Sequence, residues 1–287
     1  MSYFMLLFFK KSLLFLWLKI ATKFHCSNLS SNFLSVYLEN FVNFFRGVKA
    51  KFYFDRNSNN FYIIENNKKI YFNDKIRGIK LYRDGISKRA KFIFLSYCLD
   101  KISFSKNDII IDCGANYGDL YLKLSNLIEP QNYIGIEPSP TDFETLKLNT
   151  DDKCKIINKG LGNINDTLSF YLSVSNADSS FIKPNYFTEI IKIPVIRLDK
   201  LIEELNLNRI KLLKVEAEGY EPEVLEGLAD KIEICEYIAI DGGYERGVKN
   251  EQTFTVVTNY LLDNNFKMID IYLPWCRALF VNRKNVS

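Results

Sequence analysis

The chain has 287 residues, 47% of them hydrophobic, which is enough for one sizeable core and a small second unit. Its single histidine, His25, excludes histidine-built zinc sites and histidine-based catalytic triads, and its six scattered cysteines form no CxxC pair, so they read as buried, reduced thiols of a cytoplasmic protein. The net charge of +4 is uneven: residues 1–106 hold 19 basic and 6 acidic groups and residues 107–287 hold 19 and 28, so the front of the chain suits an anionic substrate or a membrane surface rather than nucleic acid.

Residues 3–24 are strongly apolar, but Lys10 and Lys11 break the run well short of the ~20 residues that a spanning helix needs. No acid precedes Glu39. Two readings stand for residues 1–24: a cationic, aromatic helix lying on a membrane surface, which would be the inner face for a cytoplasmic protein, or a helix packed on protein. Residues 1–50 are therefore taken as an N-terminal helical segment. Residues 51–106 form a second region. Phe52–Phe54, Phe61–Ile64 and Ile70–Phe72 are aromatic and β-branched runs separated by Asn- and Asp-rich turns, which predicts a β-meander, and the apolar spacing over 87–101 predicts a lead-in helix.

From 107 onward one α/β domain is expected. Strands are predicted at 109–112, 132–136, 154–158, 210–215, 236–241, 266–272 and 277–282, with helices near 118–128, 140–149, 198–205, 221–231 and 251–264. Segments 167–173 and 190–196 are β-like and flank a polar loop. Only Pro274-Trp275-Cys276 separates the last two strands, so the sheet should be mostly parallel with an antiparallel C-terminal hairpin, a Rossmann-like plan.

The first chemical signal is Ile109-Ile110-Ile111-Asp112-Cys113-Gly114-Ala115-Asn116-Tyr117-Gly118. A buried parallel strand ends in an acid, and a small-residue turn opens a helical pattern. The next apolar strand ends in Glu137, where an acid of a βαβ unit is placed to accept hydrogen bonds from ribose hydroxyls. The loop is not GxGxxG, so a nucleoside suits it better than a dinucleotide, and the nucleoside cofactor that fits is S-adenosylmethionine (SAM). The second signal is Lys214-Val215-Glu216-Ala217-Glu218-Gly219-Tyr220-Glu221. If strand geometry persists, Lys214, Glu216 and Glu218 share one side at the ligand-binding end of the sheet. Asp241, followed by two glycines, ends the next strand at the same edge.

Together, IIIDCGANYG, IGIEPSP, the Arg197–Leu201 segment and LLKVEAEGYEPEVLEGL resemble the FkbM family of SAM-dependent methyltransferases, over roughly residues 80–283. Glu216 stands where that family's K-x-D-x-E-G-x-E signature usually has Asp. The resemblance implies methylation of a hydroxyl group on a sugar, glycan or similar small molecule. It places Asp112, Gly114, Ala115, Asn116, Gly118, Glu137 and Pro138 against the cofactor, with Gly160 and Leu161 bordering the adenine. With no core histidine, Glu216, Glu218 or Asp241 is expected to take the acceptor's proton, and Arg83, Arg89 and Lys214 to hold an anionic acceptor. No metal is expected, since no ligand spacing demands one, although Mg²⁺ is the competing use of the same carboxylates. The rival readings are a nicotinamide-dependent oxidoreductase on a similar sheet and a non-catalytic, membrane-associated binding module.

Overall fold

The computed structural model describes residues 31–173 and 179–285, and the N-terminal segment 1–24 lies outside them. The chain divides into two compact units, Met1–Arg89 and Ala90–Ser287. The boundary falls inside the helix Ile86–Ser96 rather than at residue 106, because Ile93, Tyr97, Cys98 and Leu99 already pack with Ile110, Leu212 and Ala239 of the larger unit.

In the smaller unit the helix Asn32–Arg46 begins at Ser31, whose side chain accepts the Leu34 N–H, and ends at Gly47 with φ +67. The Asn40 amide bonds both the N–H and the carbonyl of Phe52, at 2.7 and 2.8 Å, and so fixes the helix to the first strand. Strands β1 (Lys51–Asp55), β2 (Asn60–Glu65) and β3 (Lys68–Phe72) form the predicted antiparallel meander. Alternation puts Phe52, Phe61, Ile63, Ile70 and Phe72 inside, and brings the rings of Tyr53, Tyr62 and Tyr71 into contact across the other face. Asn66 and Asn67, with φ of 49° and 65°, supply the two left-handed positions of the β2–β3 turn. The helix Lys75–Tyr82, which the sequence reading did not separate from its surroundings, follows an Asp74 cap.

In the larger unit the predicted lead-in helix stops at Ser96. Cys98 is left-handed, with φ 56, and only one 3₁₀ turn, Leu99–Lys101, continues the path. Strands β4 (Ile110–Cys113), β5 (Tyr133–Ile136) and β6 (Lys155–Ile157) then build half of the main sheet. A short β7 (Gly160–Gly162) pairs with β9 (Glu189–Arg197), which also pairs with β8 (Asp166–Leu172), so these three form a separate small sheet. Strands β10 (Ile210–Val215), β11 (Cys235–Asp241), β12 (Phe266–Tyr272) and β13 (Arg277–Asn282) complete the seven-stranded main sheet, in the order β12-β13-β11-β10-β4-β5-β6. β13 alone runs against the direction of the other six strands.

Every residue of β4, β5, β10 and β13 is buried, as expected of strands covered on both faces. Ile111, Leu213, Ile238 and Phe280 pack on one face under the helices Leu198–Glu204, Glu221–Glu226 and Phe254–Asp263, while Ile110, Leu212, Ala239 and Leu279 pack on the other with Tyr97 and Tyr133. The helix expected over 118–128 is reduced to one turn, Tyr121–Leu124, and that over 221–231 breaks after Glu226. Strand order reverses between β4 and β10, the place in open α/β sheets where ligands bind beyond the C-terminal strand ends.

Candidate active site

The loop after β4 bonds largely to itself. The N–H groups of Gly114 and Ala115 both donate to the Ile136 carbonyl at 3.0 Å, Asn116 N–H to Glu137 Oε2 at 2.9 Å, Tyr117 N–H to the Asn116 side chain at 2.8 Å, and Gly118 N–H to the Ala115 carbonyl at 2.8 Å. The loop therefore presents no ring of N–H donors to a ligand, unlike a phosphate-binding turn. Gly114, with φ +73, is needed for a different reason from the one expected. A Cβ there would lie 2.0 Å from the Glu216 carbonyl oxygen, so the glycine lets the loops after β4 and β10 touch at the point where strand order reverses.

Glu137, 6% exposed, ends β5 as predicted. Its Oε2 accepts the Asn116 N–H and its Oε1 the Ser139 N–H, both at 2.9 Å. A carboxylate oxygen has room for more than one donor, so the two backbone bonds orient the group without exhausting it. Asn158 donates to the carbonyls of Glu137 and Pro138, at 2.8 and 3.0 Å, and holds that strand end in place. Gly160 and Leu161 are packed into the fold. A Cβ on Gly160 would meet the Phe181 ring at 2.4 Å, and Leu161 is a buried member of the main core.

Beside this lies a buried row of charges. Alternation along the strands puts Asp112, Lys214 and Glu216 on the same face as Tyr97 and Tyr133, and register sets Lys214 against Asp112 and Arg277 against Asp241. Tyr133 Oη donates to Asp112 Oδ2 at 2.6 Å, and Asp112 Oδ1 lies 3.1 Å from Lys214 Nζ. Lys214 Nζ also meets Glu216 Oε2 at 2.8 Å and the Gly114 carbonyl at 2.8 Å. Arg277 closes the row: Nη2 to Glu216 Oε1 at 2.8 Å, Nε to Asp241 Oδ2 at 2.6 Å, Nη1 to Ser96 Oγ at 2.8 Å, with its guanidinium 4.3 Å from the Tyr97 ring centroid. Asp112, Lys214, Asp241 and Arg277 are each 3% exposed or less.

These pairings sort the expected roles. Lys214 is no acceptor-binding residue, because its ammonium is buried within the row; its acidic partners hold its pKa well above the usual lysine range despite desolvation. Lys214 and Arg277 overcome burial at Glu216 and hold its carboxyl far below the usual carboxylate range, which makes it a weak base. Asp241 shifts upward, through burial first and the neighbouring Glu216 charge second, against the pull of Arg277. Glu218 leaves the row. The strand ends at Val215, Glu218 is left-handed with φ 49, and its carbonyl accepts from Ser180 Oγ at 2.7 Å. Arg83 ends the helix Lys75–Tyr82, where its carbonyl accepts from Arg46, and Arg89 lies on the helix Ile86–Ser96; both belong to the smaller unit.

Sequence reading missed Arg277, although a charged residue opening an apolar strand was a signal. Counting register back from the hairpin would have set it opposite Asp241. It also missed the work of Glu221, 1% exposed, whose Oε1 accepts the N–H groups of Ala217 and Gly219 at 2.8 and 3.1 Å and whose Oε2 accepts Thr253 Oγ1 at 2.8 Å. Glu221 thereby shapes the turn that follows Glu216, and burial pushes its carboxyl up to about 7. Among the described residues no group of three or more His, Cys, Asp or Glu side chains is placed to hold a metal ion.

A mostly parallel seven-stranded sheet with one antiparallel strand near its edge, a strand-order reversal between β4 and β10, and an acid following the strand beside that reversal define a Rossmann-like methyltransferase fold. The sequence model of the methyltransferase FkbM domain matches residues 112–268, more than half of the chain, and the chain belongs to that family. It is similar to "Methyltransferase 1" of Beauveria bassiana, with 27% identity over 165 residues, covering 49% of this chain and 66% of that one. A methyltransferase FkbM of Methylobacillus flagellatus aligns at 16% identity and a TM-score of 0.44, over 91% of this chain and 58% of its own. M. jannaschii TYW2, solved in complex with AdoMet, aligns at 14% identity and a TM-score of 0.35, over 77% of this chain and 83% of its own. The chain thus spans less than two thirds of the fungal relative and of the Methylobacillus protein.

Proposed function

We propose that this protein is a SAM-dependent methyltransferase acting on a hydroxyl group, with a sugar of a glycan or glycan precursor as the acceptor class. The observation that carries the reading is Glu137: an acceptor-only group at the end of β5, beside the strand-order reversal, aimed by two backbone N–H bonds. That arrangement fits a ribose diol, which offers two donors to one carboxylate. Gly114–Gly118 and Pro138 would border the same ligand through side chains and packing, since the loop's N–H groups are engaged within the fold.

Bound SAM would supply the electrophilic methyl group. The protein's part is to hold the acceptor hydroxyl in line and to take its proton. Among the three expected carboxylates, Asp241 suits that task best. Its upward shift raises its basicity, whereas Glu216 is clamped by two cations and Glu218 lies off the row. Arg277 fixes Asp241 through Nε, so the carboxylate keeps one orientation. The test is incubation with methyl-labelled SAM and fractionated glycans, lipids and proteins. Label entering a glycan fraction through an alkali-stable ether supports the reading, label in proteins alone changes the acceptor class, and no SAM binding by calorimetry overturns it.

A further inference from the structure

The helix Asn32–Arg46 turns its apolar side outward. Its buried side chains are Ser35, Glu39, Val42 and Asn43, so the inward stripe at i, i+4 and i+8 is polar. Phe33, Tyr37, Phe44 and Phe45 stand exposed, with Tyr37 at 68% and Phe44 at 77%. A helix docked only for stability buries its apolar face and wets its polar one, so this reversal marks a surface with another partner.

The charges around the face indicate which partner. Glu39, the helix's one acid, is turned inward and fully buried. The Arg56 guanidinium sits 4.4 Å from the Phe33 ring centroid, and Lys49 is exposed just beyond the helix. The thirty residues that lead into the helix carry four lysines and no acid. A helix face that is aromatic, exposes no acid of its own and carries a guanidinium at Phe33 matches a bilayer interface, where rings settle at headgroup depth and cations meet lipid phosphates. A second copy is the poorer fit, because the same helix face would offer no exposed acid to pair with Arg56, whereas lipid phosphates do.

We propose that the outward face of Asn32–Arg46 is a docking surface for an anionic membrane, with Tyr37, Phe44 and Phe45 as its interfacial anchors and Arg56 as a headgroup contact.

The test is co-sedimentation of the full chain with vesicles of phosphatidylcholine, alone or mixed with phosphatidylglycerol. Binding should require phosphatidylglycerol and fall as salt rises. The double variant Tyr37→Glu/Phe44→Glu should lower the vesicle partition coefficient by about tenfold or more, and Tyr37→Leu/Phe44→Leu should retain it. Arg56→Gln, an exposed turn change that leaves the fold alone, should lower it about fivefold at low salt and little at high salt. Circular dichroism checks that each variant is folded. Unchanged partition in the folded glutamate and Arg56 variants overturns the proposal. So does absence of wild-type binding, or a wild-type dimer that the glutamate variant converts to monomer, since a second copy would then cover the face.

Discussion

Glu137 ties the loop after β4 to the loop after β5, and the two backbone bonds set its carboxylate before any ligand arrives. Charge-assisted hydrogen bonds contribute about 1.5–3 kcal/mol each, so Glu137→Ala, losing two to a ribose, should weaken SAM binding at least a hundredfold by calorimetry. Asp241 and Glu216 share Arg277 but differ in basicity, one raised by burial and the other lowered by two cations. Asp241→Asn keeps an oxygen for Arg277 yet cannot accept a proton, so turnover should fall by about 10²–10⁴ while SAM affinity holds. Full turnover in that variant would move the base elsewhere. Glu221 gives a pH signature. Burial lifts its folded pKa to about 7 from the ordinary 4.5, so between those values the folded state keeps a proton that the unfolded state releases. This group's stabilisation is complete below pH 4.5 and is lost as pH rises through 7. Unfolding free energy should drop by about 3 kcal/mol across that window relative to Glu221→Gln, whose profile should be flatter, as urea titrations at several pH values would read.

The strand ends act as a set. Gathering five charges, four of them buried, on one face of a sheet is costly, and mutual pairing offsets the desolvation. Lys214→Met would leave Asp112 and Glu216 without their shared cation and should cost about 3–5 kcal/mol in chemical denaturation. Lys200→Ala, which breaks an exposed pair with Glu203, should change stability by less than about 1 kcal/mol. The contact between the β4 and β10 loops is equally exacting. Gly114→Val would combine an unfavourable positive φ with a side chain driven into the Glu216 carbonyl, so loss of fold should precede any specific loss of ligand binding.

Across the whole molecule, a ligand that binds only the folded state raises its apparent stability, by about 2.7 kcal/mol at a hundred times Kd. SAM should therefore raise the melting temperature by a few degrees while NAD leaves it unchanged, and the reverse result would restore the oxidoreductase reading. The sequence alone determined the sheet's composition and sense, because buried parallel strands read as unbroken apolar runs such as Ile109–Ile111 and Leu212–Leu213, and a three-residue link at Pro274–Cys276 permits only a hairpin. It also placed Glu137, since an acid that ends such a run marks the ligand edge. Tertiary structure alone decided what the other charges do. Lys214 reads as a substrate contact until register sets it against Asp112, and Arg277 reads as an ordinary strand residue until β13 is laid beside β11. The same holds for Gly114, whose neighbour is a carbonyl about a hundred residues away, and for the helix Asn32–Arg46, whose apolar residues predict burial but whose docking through Asn40 turns them outward. Periodicity fixes which face a side chain takes within one element; which elements meet, and in what register, is fixed by contacts between residues far apart in the chain.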